Sequence, residues 1–322
     1  MEGKMFKKLL YLLIALLVLV ACGTSTPSET GTPSETDNVP AGDVAINVYT
    51  RDSSSGTREA FEGGVNLEEL TVDAVETSGN GDMAQKVGVD EHGIGYVSLT
   101  TDFEANNLTP VHFEGVEPNF ENVLDQSYTL SRPFSYVTRA ADDFAGDVER
   151  DVVAAFIDFL NYSTEGLEAV EAAGGIVDLS AAKDWSELSA NHPVLDSDVT
   201  TVTIRTSGST SVEKTIQAAL EAFQAETGVQ FVMNHTGSGD GFKRVLGEEK
   251  DSANAADIGF ASRTFKTDGS EEVSAGLAQG YYALDAVVVV VSQDNTNAPE
   301  SLTADQISKI FGGEIKNWND LN

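Results

Sequence analysis

Three times along this chain of 322 residues a strand-like run passes into a short loop of serine, threonine and glycine and then into a helix-like pattern. Ile46-Asn47-Val48-Tyr49 leads to Arg51-Asp52-Ser53-Ser54-Ser55-Gly56-Thr57 and on to Glu59, Ala60 and Phe61. Val202-Thr203-Ile204 leads to Thr206-Ser207-Gly208-Ser209-Thr210-Ser211 and then to Val212, Ile216, Leu220 and Phe223 at helical spacing. Val229 to Met233 leads to Gly237-Ser238-Gly239-Asp240-Gly241 and then to Phe242, Val245 and Leu246. Such a junction points several backbone N–H groups and hydroxyls at one spot, with the positive end of a helix behind them, which is the chemistry of an anion site. Arg51 can add a planar fork of donors suited to a tetrahedral oxyanion. One such loop alone is equally well explained as a helix N-cap; the recurrence is what points to a ligand. Strands alternating with helices, and ligand-type loops at the strand ends, predict an α/β fold with sites at the sheet edge.

The rest of the chain supports that architecture. Gly93 to Ser98 reads as a buried strand, and Phe134 to Thr138 as another. Asp147 to Leu160 is an amphipathic helix with Val148, Val152, Phe156 and Phe159 or Leu160 along one face. Ser163 to Ala172 reads as a further helix, stopped by Gly174-Gly175. Residues 176–200 have little pattern and read as a connection. Ala256 to Ala261 is a strand ending at Ser262-Arg263, and Ala286 to Val291 is a β-branched run suited to a strand covered on both faces. Thr303 with Gln306 forms a capping box, and Gly312-Gly313 stops that helix.

The N-terminus is an address. Lys4, Lys7 and Lys8 precede an apolar run from Leu9 to Val20 that is too short for a comfortable membrane span. Leu19-Val20-Ala21-Cys22 followed by Gly23 resembles a bacterial lipobox, which implies cleavage before Cys22 and a lipid on that residue. Cys22 is the only cysteine, so no disulfide forms within the chain. Residues 23–43 are Thr, Ser, Pro, Glu and Gly with a repeated Thr-Pro-Ser-Glu-Thr, a composition that cannot repay the entropy of folding and reads as a disordered linker. The folded body is expected to start near Val44. A net charge of −33 argues against nucleic acid or an anionic membrane as its partner. An anion site in such a chain must rely on neutral dipoles and one or two arginines. The four histidines, His92, His112, His192 and His235, show no triad or metal spacing, and the Gly-Ser loops lack the Walker lysine. No cofactor, no metal and no catalytic residue is expected.

Taken together, Arg51 to Thr57, Gly93 to Ser98, Ser131-Arg132-Pro133, Gly208 to Ser211, Gly237-Ser238-Gly239, Ala256 to Gly259, and Phe311-Gly312-Gly313 with Asn317-Trp318 resemble the phosphate-binding proteins of bacterial ABC phosphate importers. The order differs. In that family the Gly-Ser-Thr-Ser loop lies near the mature N-terminus and the Asn-Trp segment runs into the strand of the Arg51 loop, so this chain resembles a circular permutant, with residues 176–200 joining the usual ends. The resemblance implies a two-lobed periplasmic-binding-protein-like fold of type 2. One lobe would be split between residues 44–99 and 293–322; the other would run from 100 to 292. A truncated or swapped chain completed by a second molecule is the competing explanation of the order.

The resemblance further implies that Arg51, Ser55, Gly56 and Thr57 close on phosphate from one lobe, and Thr210, Ser211 and Ser238 from the other. Ser209, Gly239, Ser262, Asp240, Asp52 and Arg263 are possible additional ligand or selectivity residues. Many family members carry a carboxylate just after the Asp-Ile-Gly strand that accepts the proton of hydrogen phosphate; here Arg263 stands there. Arg263 either binds the anion or pairs with a nearby carboxylate, and Asp240 or Asp52 could supply the acceptor. The implied protein is a lipid-anchored extracytoplasmic receptor that delivers phosphate to an importer's permease and ATPase subunits. Alternatives are a receptor for another oxyanion such as sulfate, a phosphate-sensing or adhesive surface lipoprotein and, less in keeping with the residues, a serine hydrolase or phosphatase.

Overall fold

The computed structural model describes residues 43–321. The expected lipid-bearing Cys22 and nearly all of the expected linker lie outside the described residues. The chain opens with strand β1 (Asn47–Arg51), helix α1 (Gly56–Gly64), β2 (Val75–Thr77), α2 (Asn80–Gly88) and β3 (Gly93–Ser98). Short β4 (Leu108–Pro110), β5 (His112–Phe113) and α3 (Phe120–Leu124) lead to β6 (Ser131–Thr138). Helices α4 (Asp147–Tyr162), α5 (Thr164–Ala172) and α6 (Trp185–Leu188) follow. A second strand-and-helix run comprises β7 (Thr203–Gly208), α7 (Glu213–Thr227), β8 (Gln230–His235), α8 (Ser238–Lys243) and β9 (Ile258–Ala261). The long β10 (Gln279–Ser292), β11 (Ser301–Leu302) and α9 (Ala304–Gly312) close the sequence.

One sheet runs through both halves in the order β2-β1-β3-β10-β6-β9-β7-β8, with β4 also on β10. In the first half β1 pairs in parallel with β2 and β3; in the second, β7 pairs in parallel with β8 and β9. The two halves therefore repeat one topology. They meet at the antiparallel strands β6 and β10, which cross between them. The β-branched run in β10 is buried throughout because helices cover both faces there.

Each half has its own core. The first gathers Phe61, Tyr96, Phe311 and Trp318 around Val287 to Val291. The second packs Phe156, Phe159, Trp185 and Phe223 beside Ile204 and Phe260. These cores correct the expected lobe boundaries at 99/100 and 292/293. Leu108, Val111, Val123, Tyr128 and Leu130 pack in the first core, as do Ala286 to Val291, so the divide falls where β6 and β10 cross. The reason is that β4 adds to β10 and β5 pairs with β11, which ties residues 108–113 to the late part of the chain.

The connection at 176–200 has more structure than its composition suggests. Its helical turns seat Trp185 edge-on against Phe159 and Phe223, and His192 reaches Asp158 at 2.9 Å. The expected face of α4 is buried at Val152, Phe156, Phe159 and Leu160, whereas Val148 is 49% exposed. The capping box at Thr303 and Gln306 is present, and Gly313 ends α9 at a φ of 81°, where glycine is favoured.

The two ends of the described chain hold each other. Ala45 and Asn317 form an antiparallel bridge, the Trp318 N–H donates to the Val44 carbonyl at 2.8 Å, and the Ile46 N–H donates to the Lys316 carbonyl at 2.8 Å. No helix among the described residues is long and apolar enough to cross a membrane.

Candidate functional site

β1 and β7 each lie between two parallel neighbours and run antiparallel to each other, so their C-terminal ends, at Arg51 and Gly208, face each other where β6 and β10 cross; strand C-terminal ends are where open α/β sheets hold ligands. Four helices begin there. Ser55 caps α1, its Oγ accepting from the Arg58 N–H at 3.3 Å. α2 and α8 start after Gly79 and Gly237 with no cap from those residues' side chains; the first N–H of α2, that of Asn80, donates instead to Thr210 Oγ1 of the other half at 3.4 Å. α7 starts just beyond Ser211.

The loops of the two halves touch. Thr57 Oγ1 lies 2.8 Å from Ser211 Oγ, the Asn80 side-chain amide donates to Ser211 Oγ at 2.9 Å, and Arg51 Nη1 donates to Thr210 Oγ1 at 3.3 Å. The Gly239 N–H donates to the Ser54 carbonyl at 3.2 Å. Behind this contact Ser209 donates to Ser262 Oγ at 2.9 Å, and the Ser262 N–H donates to Ser238 Oγ at 3.0 Å. Gly56 passes so close to the other half that a Cβ there would stand 2.3 Å from Ser238 Oγ.

Charge is scarce and deeply buried. Arg51 is 1% exposed; its Nη2 pairs with Asp52 at 3.2 Å and its Nε has no partner. Burial pushes the Arg51 guanidinium below its ordinary pKa, against the pull of Asp52. Arg132, at the start of β6, sends Nε and Nη2 to one oxygen of Asp285 in β10 at 3.0 and 2.8 Å, and Nη2 also donates to Ser211 Oγ at 3.0 Å. Burial pushes Arg132 down and Asp285 up, and their mutual attraction opposes both shifts.

The fold thus brings Arg51, Ser55, Gly56, Thr57, Thr210, Ser211 and Ser238 to one place, with Ser209, Gly239 and Ser262 beside them. It turns Asp240 away, to the Thr236 hydroxyl and to Arg244 at 3.6 Å. Arg263 is also outside the cluster: it forks onto both oxygens of Glu271 at 2.7 Å and reaches Glu59 of α1 at 2.9 Å, so of the two roles open to it the structure has the ion pair. Asp52 stays beside Arg51, its other oxygen taking the Ser54 N–H at 2.9 Å. Asn80, Arg132 and Asp285 join this cluster although none of them is among the expected ligands; Arg132 figured only in the Ser131-Arg132-Pro133 motif. The one available signal was a lone aspartate interrupting the apolar run of β10.

His235 underlies the Ser209 loop. Its Nδ1 lies 2.9 Å from the Ser209 carbonyl and its Nε2 2.9 Å from Thr206 Oγ1, so Nδ1 carries the proton and the ring is neutral. Burial pushes its pKa down to about 4 from 6.5. The folded form therefore takes up this proton later than the unfolded chain does. The contribution to stability is complete above pH 6.5 and is lost as pH falls toward about 4. The full shift corresponds to at most about 3 kcal/mol, reduced by the exposed edge of the ring. Thermal unfolding across that window should fall more steeply for the parent than for His235→Gln. Equal slopes would remove His235 from the account.

These features define a class: a two-lobed α/β binding protein of type 2 periplasmic-binding-protein-like fold, with a polar site where the lobes meet. The chain belongs to the PBP superfamily, whose domain profile, described as PBP superfamily domain, matches residues 33–164 and 196–322. It is 27% identical over 313 residues to phosphate-binding protein PstS 2 of Streptococcus pneumoniae, covering 94% of each chain. It is 35% identical over 99 residues to phosphate-binding protein PstS of Xylella fastidiosa, covering 30% of this chain and 25% of that relative. Its fold matches the crystal structure of a phosphate ABC transporter phosphate-binding protein from S. pneumoniae TIGR4 with a TM-score of 0.61 at 24% identity, covering 86% of this chain and all of the other. Among the described residues no group of three or more His, Cys, Asp or Glu could hold a metal ion.

Proposed function

We propose that this protein is an extracytoplasmic receptor that binds inorganic phosphate between its two lobes, is tethered to the cell membrane by a lipid on Cys22, and hands the anion to an ABC importer. The observation that carries the reading is the convergence at Arg51: a buried guanidinium with a free Nε, ringed by hydroxyls and helix starts contributed by both halves. The ligands are Arg51, Ser55, Gly56, Thr57, Thr210, Ser211 and Ser238. An anion accepting from them replaces the contacts these groups now make with one another, and because it bridges the lobes its binding energy favours the closed state. The names of the relatives support phosphate as that anion. No covalent chemistry is needed.

The chain order belongs to the same proposal. Relative to the order in which the importer family places these loops, the folded body is circularly permuted. The joined ends at Ala45 and Asn317, and the break in the superfamily match between 164 and 196, support this. The end-to-end match to PstS 2 implies that this relative shares the order.

Calorimetric titration of the full chain with phosphate, beside a sizing experiment, tests the reading. One-to-one binding by a monomer supports it; no heat, or binding only by a dimer, overturns the receptor or the single-chain site. Gly56→Ala should act as a wedge. Its Cβ meets Ser238 across the contact, and overpacking of this kind costs roughly 1–3 kcal/mol, which weakens phosphate roughly tenfold or more. Unchanged affinity would mean that Gly56 and Ser238 do not approach in the bound state.

A further inference from the structure

One buried ionic group has no role in the ligand set above. Arg132 and Asp285 stand directly opposite each other in β6 and β10, where the sheet crosses from one half to the other, and their side chains are 3% and 0% exposed. Asp285 is saturated: one oxygen takes Nε and Nη2 of Arg132, and the other takes the Ser98 hydroxyl at 2.9 Å and the Leu99 N–H at 3.1 Å. Arg132 is not saturated. Its Nη1 is buried without a partner, while Nη2 also donates to Ser211 Oγ. That serine hydroxyl sits among the donors of Asn80 and Arg132 and the Thr57 hydroxyl. On the neighbouring residue, Thr210 receives Arg51, whose Nε is likewise unpaired.

Two buried guanidiniums therefore flank one pair of hydroxyls, and the single fully buried carboxylate, Asp285, is paired with Arg132. The other acid at the site, Asp52, is already engaged by Arg51 and Ser54. A pure counter-charge to Asp285 would need only the two N–H groups it already uses. The free arm of Arg132 is an unmet donor on the same guanidinium whose Nη2 touches Ser211.

We propose that Arg132 is a second anion-binding guanidinium of this site, its Nη1 donating to one oxygen of a doubly charged tetrahedral oxyanion whose other oxygens are held by Arg51 and the loop hydroxyls. This rests on the reading of the site as an anion site. It extends that reading: the ligand is recognised through its charge by two arginines from opposite sides, Arg51 from the end of β1 and Arg132 from the crossing strands. Asp285 holds Arg132 in place and does not meet the ligand.

The test uses the full chain and inorganic phosphate, with three proteins titrated in parallel. In the double variant Arg132→Met with Asp285→Asn the buried pair is replaced without stranding a charge. It is expected to bind phosphate roughly 10- to 100-fold more weakly, the span of one lost charge-assisted hydrogen bond. Arg132→Lys keeps a positive charge opposite Asp285 but loses the second arm of the fork, and a loss of roughly tenfold or more is expected. It serves as the readout if the double variant does not fold. Binding by either folded variant within roughly threefold of the parent would make Arg132 a counter-charge only and overturn the proposal. A parent that takes up no phosphate overturns the anion site itself, and the Arg132 assignment with it.

Discussion

Arg51→Ala is expected to weaken phosphate binding by about 100-fold or more while leaving the unfolding transition close to that of the parent. Arg51 is the buried cation whose Nε has no protein partner and whose Nη1 touches the opposite half at Thr210. Truncating one member of a buried charged contact at an interface costs about 2–5 kcal/mol, and each 1.4 kcal/mol is a factor of ten. Stability should survive because Asp52, the carboxylate left behind, has a quarter of its side chain in water. Thr210→Ala removes a hydroxyl and no charge, so a loss of roughly tenfold is expected. Calorimetry with phosphate decides; parent-like affinity in both variants would place the site elsewhere.

The second large effect is on stability. Asp285→Ala leaves Arg132 charged and buried with its counter-ion gone, and removing one partner of such a pair costs about 3–5 kcal/mol. It also removes an acceptor from the Ser98 hydroxyl and the Leu99 N–H, which keep their bonds to Thr100 Oγ1 and to the Ala286 carbonyl. For a body of this size the midpoint of thermal unfolding should fall by roughly 10 °C. Asp285→Asn keeps an acceptor and should do less. A change below about 1 kcal/mol in Asp285→Ala would show that Arg132 sheds its charge or reaches water when Asp285 is lost.

Much of this molecule could be read from local pattern, because its strands and loops are locally encoded. Each hydroxyl loop sits at a strand end, the run from Ala286 to Val291 lies in a strand, and Gly313 ends its helix as a C-terminal glycine does. The three loops touch where the halves meet. What local pattern could not carry is pairing across long separations. Asp285 meets Ser98 over 187 positions and Arg132 over 153, and nothing near either residue announces it. Arg263 illustrates the reverse. Its place after the Asp-Ile-Gly strand left two roles open, ligand or ion pair, and only the fold brings up Glu271, eight positions on, to take its fork. The lobe boundary was misplaced for a related reason: residues 108–113 look like part of a new segment until β10 and β11, near the other end of the chain, come to meet them.

The joining of Val44 to Trp318 also bears on how the protein is made. The half that leaves the ribosome first lacks its central strand, Ala286 to Val291, and its covering helix α9 until the other half has been synthesised. The half that follows has all of its own core residues by Ala283, before that stretch of β10 appears. Translation order and maturation order are thus reversed: the later half can consolidate while β1, β2 and β3 wait, their apolar faces uncovered, for Ala286 to Val291 and α9.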